Sequence, residues 1–197
     1  MNRAKARELV ALLGDVPFAL RMLADYPGVA APEENETTYR GNALLKARAA
    51  SRLTGEWSLG DDSGLEVDAL GGAPGLYSAR YGGPGLDAAG RRTLLLEALR
   101  DVPADRRTAR FRCVIAIVDP EGHDSIVEGV AEGTITREPR GTGGFGYDPL
   151  FYYTPLGQTF AELSDAEKSD VSHRGRAAAQ ARRLLTRTRG DRPEHGE

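Results

Sequence analysis

Cysteine, tryptophan and methionine are scarce in this chain, at one, one and two residues among 197. The lone thiol, Cys113, cannot form an intramolecular disulfide, and it sits inside the apolar run from Phe111 to Val118. It reads as a core residue of a protein kept in a reducing compartment, the cytoplasm. No stretch approaches the roughly 18 uninterrupted apolar residues that a membrane span needs, so no membrane partner is expected. An excess of one charge is missing too. The formal charge is −3, with 28% charged residues of both signs interspersed, which lacks the basic surplus usual in a protein that neutralises a phosphate backbone. No nucleic-acid partner is expected either. What is present, 40% apolar residues with 24 Gly and 11 Pro, suits one globular domain or two lobes around one core.

Arg3, Lys5 and Arg7 precede the short apolar stretch Leu9 to Leu13, which Glu8 and Asp15 bound too tightly for an export signal. Lys5 to Leu13 reads instead as an amphipathic helix stopped by Gly14. A strand is expected around Val16 to Arg21, then a loop carrying Glu33, Glu34 and Glu36. A helix follows from about Thr38 to Leu53, with Tyr39, Ala43, Ala47 and Ala50 at helical spacing and Gly55 as its stop. Trp57 to Leu59 predicts a short strand that runs into a polar turn, Gly60-Asp61-Asp62-Ser63-Gly64, with Leu65 to Leu70 beyond it. Leu86 to Arg100 reads as a surface helix.

The alternation Arg110, Phe111, Arg112, Cys113 and the apolar run after it predict a strand over 108–119. A turn at Pro120 to His123 and a bent strand over 125–137 complete a hairpin. Glycine crowds 141–146, and a last helix is expected from about His173 to Thr188, leaving 189–197 as a polar, frayed tail. No internal repeat or linker is visible, so 1–188 reads as one domain. Helices mixed with sequential and hairpin strands indicate the α/β class with a mixed sheet.

Three segments carry chemistry. Asp61 and Asp62 lie between glycines just after a strand; with Glu33 they offer oxygen ligands for Mg²⁺, which takes one or two carboxylates plus waters and substrate phosphates. The alternative is a turn whose carboxylates satisfy their own backbone. Lys168, His173 and Arg174 cluster near a helix start with Ser172 as a candidate N-cap, which suits a phosphate, or else is a solvated helix end. The loop Gly143 to Asp148 sets Phe145 and Tyr147 between glycines, an arrangement suited to stacking on a base, or to a tight turn with core aromatics. Together these segments describe a nucleoside triphosphate site.

At the same residues the chain strongly resembles the inosine/xanthosine triphosphate pyrophosphatases, which cleanse the nucleotide pool of noncanonical purine nucleotides. The resemblance runs from Asn2 to about Leu185 and rests on motifs in order: Leu59 to Asp68, Gly71 to Tyr81, Gly143 to Pro149, and Glu167-Lys168 through Ser172-His173-Arg174. It implies an elongated α/β fold with flanking helices and two lobes around a nucleotide cleft, usually a homodimer. It implies that Asp62 is the proton acceptor and a Mg²⁺ ligand, that Glu33 is the other metal ligand, and that Asp61 supports them. Asn2 and Lys5 match the family's Asn-x-x-Lys phosphate motif. Ser63, Phe145, Gly146, Tyr147, Asp148, Lys168, His173 and Arg174 would line the substrate. The chain departs from the family pattern twice. Met1 stands directly before Asn2, where the family has a strand and a Ser/Thr, so the true start is expected upstream; and Gly41 replaces a Glu before Asn42.

Overall fold

In the computed structural model, which describes residues 3–27, 29 and 32–190, the apolar run around Cys113 becomes strand β2 (Thr108–Val118), buried throughout from Cys113 to Val118. Beside β2 lie β1 (Ser58–Val67) and β3 (Asp124–Ile135), and then β4 (Phe151–Tyr153) and β5 (Gln158–Thr159); the five-stranded sheet has the order β1-β2-β3-β4-β5. The turn after β2 closes with the Asp119 N–H on the His123 carbonyl at 3.1 Å, while the Asp119 carboxylate accepts from the His123 N–H at 2.8 Å. Pairing of β3 with β4 is antiparallel, Thr134 opposite Tyr152 and Ile135 opposite Phe151. A Cβ on Gly133 would stand 2.5 Å from the Tyr152 carbonyl oxygen, so only glycine lets β4 lie this close.

Five α-helices are described: α1 (Arg3–Leu12), α2 (Tyr39–Thr54), α3 (Ala88–Ala98), α4 (Asp165–Val171) and α5 (His173–Gly190). The Thr38 hydroxyl caps α2 by accepting from the Gly41 N–H at 3.0 Å, and Gly55 ends it at φ 68°, as its stop signal predicts. Asp87 caps α3 in the same way, and Ser164 with Glu167 forms a capping box on α4. Among the described residues no helix is long and apolar enough to cross a membrane.

The chain divides into two compact units. The first takes the residues up to Asp62, Val114–Glu128 and those from Arg174 onward; the second takes Ser63–Cys113 and Gly129–His173. In the first, Ala43 and Ala47 of α2 pack on Val114, Ala116 and Val118 of β2. The contact is close because the side chains are small. A Cβ on Gly60 would fall 2.3 Å from the Ala43 carbonyl oxygen and 2.7 Å from the Ala47 nitrogen, both backbone atoms that cannot rotate away. Gly60→Ala is therefore expected to destabilise the fold by roughly 3 kcal/mol, the upper part of the usual overpacking range; denaturant unfolding checks it, and a loss under about 1 kcal/mol would contradict the packing. The second unit has a larger core, in which Phe111 lies 4.6 Å from Phe151 and 5.8 Å from Phe160 between ring centroids, with Leu65, Val67, Leu95 and Leu150 around them.

Two elements differ from expectation. Residues 16–21 form no strand: Pro17 lacks a ladder donor, the Val16 N–H turns back to the Leu13 carbonyl at 3.1 Å, and Phe18 stands partly exposed. The polar segment 60–64 is not a turn but the middle of β1, where Asp62 to Leu65 are consecutively buried. Its Gly60 serves the close approach of α2 rather than a reversal of the chain. The α/β class stands as expected.

Candidate active site

Burial decides the character of Asp62. It lies on β1 at 5% exposure, and two side chains one helical turn apart on α2 reach it. Asn42 donates its carboxamide N–H to Asp62 Oδ2 at 3.0 Å, and Lys46 Nζ stands 3.6 Å from Asp62 Oδ1. Desolvation pushes the Asp62 carboxyl above its ordinary range; Lys46, the Asn42 hydrogen bond and Lys5 pull the other way, and Glu34 adds to the rise. The result is a carboxylate with raised proton affinity held among cations.

Lys46 also donates to Glu34 Oε1 at 3.0 Å, so its ammonium lies against two carboxylates. Glu33, the acid favoured from the sequence, is exposed, and its neighbour Glu34 is the one that reaches Lys46. Asp61 faces a different cation. Arg174, at the start of α5 and 1% exposed, pairs with Glu8 of α1 and brings its Nε to 3.8 Å from Asp61 Oδ2. That carboxylate oxygen is buried and makes no hydrogen bond. Burial also pulls the Lys5 ammonium below its ordinary range, opposed by Asp61 and Asp62 and assisted by Arg174 and Lys46. Asn2 lies outside the described residues.

Among the described residues no group of three His, Cys, Asp or Glu side chains converges as a closed metal cage. A hard divalent ion that keeps waters and takes substrate phosphates needs less. Glu34 and Asp62 meet that need, because both carboxylates already point at one positive centre, Lys46 Nζ.

The second unit assembles its own group. Asp148, 3% exposed, accepts from the Phe145 N–H at 2.8 Å and from Lys168 Nζ at 2.8 Å. Lys168 Nζ lies 4.9 Å from the centre of the Phe145 ring, a cation–π distance. Gly144 sits at φ 66°, and a Cβ there would overlap Asp148 Oδ2 at 2.2 Å, so this glycine is required twice over. The Gly146 carbonyl accepts from Arg92 at 2.8 Å. Tyr147 departs from the group: it is buried in the core, its hydroxyl donates to the Ser78 carbonyl at 3.0 Å, and burial drives its phenol far above the ordinary range. His173 is 4% exposed and stacks on Phe111 with centroids 4.6 Å apart and planes 12° apart. Ser63 is buried in β1, and Ser172, also buried, closes α4 immediately before α5.

Sequence reading did not single out Glu34, Asn42, Lys46 or Glu8. The spacing of Asn42 and Lys46, one turn apart on a helix whose small residues face the sheet, was the available signal.

The first unit holds a carboxylate of raised proton affinity among cations, chemistry that suits attack on a phosphoanhydride; the second holds, by itself, an aromatic ring beside a buried ion pair. Comparison with known proteins agrees. The model of the Ham1 family matches residues 1–184. The chain is 50% identical over 186 residues to a dITP/XTP pyrophosphatase of Desulforamulus reducens, covering 94% of this chain and 92% of that one. It is 51% identical over 183 residues to a dITP/XTP pyrophosphatase of Escherichia coli O157:H7, covering 89% and 90%. Among solved structures, a HAM1 protein from Coxiella burnetii is 42% identical and superposes with a TM-score of 0.86 over 95% of each chain.

Proposed function

This chain belongs to the Ham1 family, and we propose that it hydrolyses dITP, ITP and XTP to the nucleoside monophosphate and pyrophosphate, removing noncanonical purines from the nucleotide pool. The observation that carries the mechanism is the buried Asp62, whose raised proton affinity suits it to take the proton of a water attacking the phosphorus nearest the sugar. Glu34 and Asp62 are the residues that would hold Mg²⁺, with Asp61 beside them. When bound, the ion supplies positive charge that offsets the negative charge growing on the leaving pyrophosphate. Lys5, Lys46 and Arg174 supply the remaining positive charge for phosphate oxygens. As a homodimer in the cytoplasm, the enzyme would meet its substrates as free nucleotides.

The purine falls to Phe145, Lys168, Asp148 and His173. Phe145 offers a face for stacking, which does not distinguish one purine from another. Selectivity needs donors that meet a 6-oxo group, because an amine at that position would leave donor facing donor. His173 and the backbone N–H groups near Phe145 are assigned that part, with the Phe111 stack fixing the imidazole plane. The test is pyrophosphate release from dITP, XTP and ITP beside dATP and dGTP, with Mg²⁺ and then with excess EDTA. Preference for the first three over dATP by at least about 100-fold in kcat/KM, lost on chelation and restored by Mg²⁺, is expected; donors to a 6-oxo group alone would not exclude dGTP, which carries the same group. Equal turnover of dATP would sink the selectivity assignment, and full activity in EDTA the metal.

A further inference from the structure

Asp62 has two carboxylate oxygens in different surroundings. Oδ1 faces Lys46 Nζ at 3.6 Å, and Oδ2 receives the Asn42 carboxamide at 3.0 Å. A carboxylate on a strand turns about its terminal bond with little resistance, so something must decide which oxygen faces the cation and the acid loop. Asn42 is 1% exposed, and both ends of its amide are used. Its Oδ1 accepts the backbone N–H of Glu36 at 3.1 Å while its Nδ2 donates to Asp62. The Glu36 bond settles which way round the amide lies: a flipped carboxamide would set an N–H against an N–H at one end and an oxygen against a carboxylate oxygen at the other. Gly41 lets the Glu36 segment come close enough for this. A Cβ at position 41 would stand 2.8 Å from Glu36 Cβ and 3.0 Å from its Oε2, so a side chain there would push that segment off the start of α2.

We propose that Asn42 is a positioning residue for Asp62, holding Oδ2 so that Oδ1 is presented toward Lys46 and Glu34, with its own orientation set by the Glu36 N–H. The inference rests on the reading of Asp62 as proton acceptor and extends it to a fully buried residue that holds Asp62. The glycine at 41 leaves room for the Glu36 side chain, whose own backbone N–H orients the amide.

Asn42→Asp is the sharpest test, since it keeps the size of the side chain and an acceptor for Glu36 while removing the donor to Asp62. It is expected to lower kcat for dITP by about 10- to 100-fold, the usual effect of removing the partner of a functional group. KM should stay within about threefold, while the thermal midpoint should fall, because the new carboxyl is buried against that of Asp62; kcat is therefore compared per folded protein, well below that midpoint. A second readout needs neither metal nor turnover. In ¹⁵N spectra of the metal-free protein, the Asn42 side-chain amide signals should move in Asp62→Asn, because the acceptor loses its charge. An Asn42→Asp enzyme with parental kcat, or amide signals that do not move in Asp62→Asn, would overturn the proposal. So would kcat and KM changing only in step with loss of folded protein. Asp62→Asn assayed alongside separates the two levels: parental turnover there overturns the assignment of Asp62 itself, whereas loss there with parental turnover in Asn42→Asp overturns only the role of Asn42.

Discussion

Asp62→Asn is expected to lower kcat for dITP by about a thousandfold while the protein still binds the nucleotide. The substitution keeps shape and keeps an oxygen to accept from Asn42, but it removes the carboxylate proposed to take the proton. Its effect on stability should run opposite to its effect on turnover. The Asp62 carboxyl titrates above its ordinary range in the folded state, so the folded protein holds this proton to higher pH than the unfolded chain does. Between the two values the folded state binds more protons, and stability falls as pH rises; above both, the ionised buried carboxylate remains a standing cost. Asparagine carries no such charge, so the thermal midpoint at neutral pH is not expected to fall. Isothermal titration with a nonhydrolysable dITP analogue, beside pyrophosphate release and thermal melts, checks all three parts. A variant that turns over within tenfold of the parent would remove Asp62 from the chemistry.

Asp148→Ala is expected to have the largest effect on stability, about 3–5 kcal/mol, or a fall of roughly 10 °C or more in thermal midpoint. The carboxylate and the Lys168 ammonium that it pairs with are 4% and 7% exposed. Removing the acid leaves a buried ammonium without that partner, and it frees the Phe145 N–H that shapes the glycine loop. Most of the loss comes from the buried charge left behind, so Lys168→Met added to Asp148→Ala should recover a large part of it while leaving nucleotide turnover impaired. Denaturant unfolding of the two single variants and the double variant measures the coupling. Additive losses in the double variant would show that the pair does not act as a unit.

The elements legible in the sequence were those whose residues repeat at one period. α2 follows from Tyr39, Ala43, Ala47 and the stop at Gly55, and β2 from the alternation at 110–113 and the apolar run beyond. β1 was obscured because Gly60 and Gly64 carry the marks of a turn, while the reason for a glycine at 60 is the backbone of α2, distant in the chain. β5, two residues long, is too short for any period to show. Among the candidate site residues, Asp61, Asp62, Lys168, Asp148 and Arg174 stood out through their motifs. That Glu34 is the acid that meets Lys46 could not be read locally, because Lys46 lies twelve residues beyond it in the chain. Phe145 and Tyr147 flank the same glycine and look alike in sequence. Tyr147 packs in the apolar core with its hydroxyl on the Ser78 carbonyl, 69 residues away, whereas Phe145 lies beside Lys168.

Cys113, the single thiol, is fully buried in β2 next to the point where the chain passes from one compact unit into the other. A thiol reagent can reach it only when that strand opens. At reagent concentrations where reclosing outruns reaction, the labelling rate is proportional to the open fraction, so it reports the free energy of opening β2 under native conditions. The protein thus carries an internal gauge of its own breathing, readable by mass alone and without any added probe site.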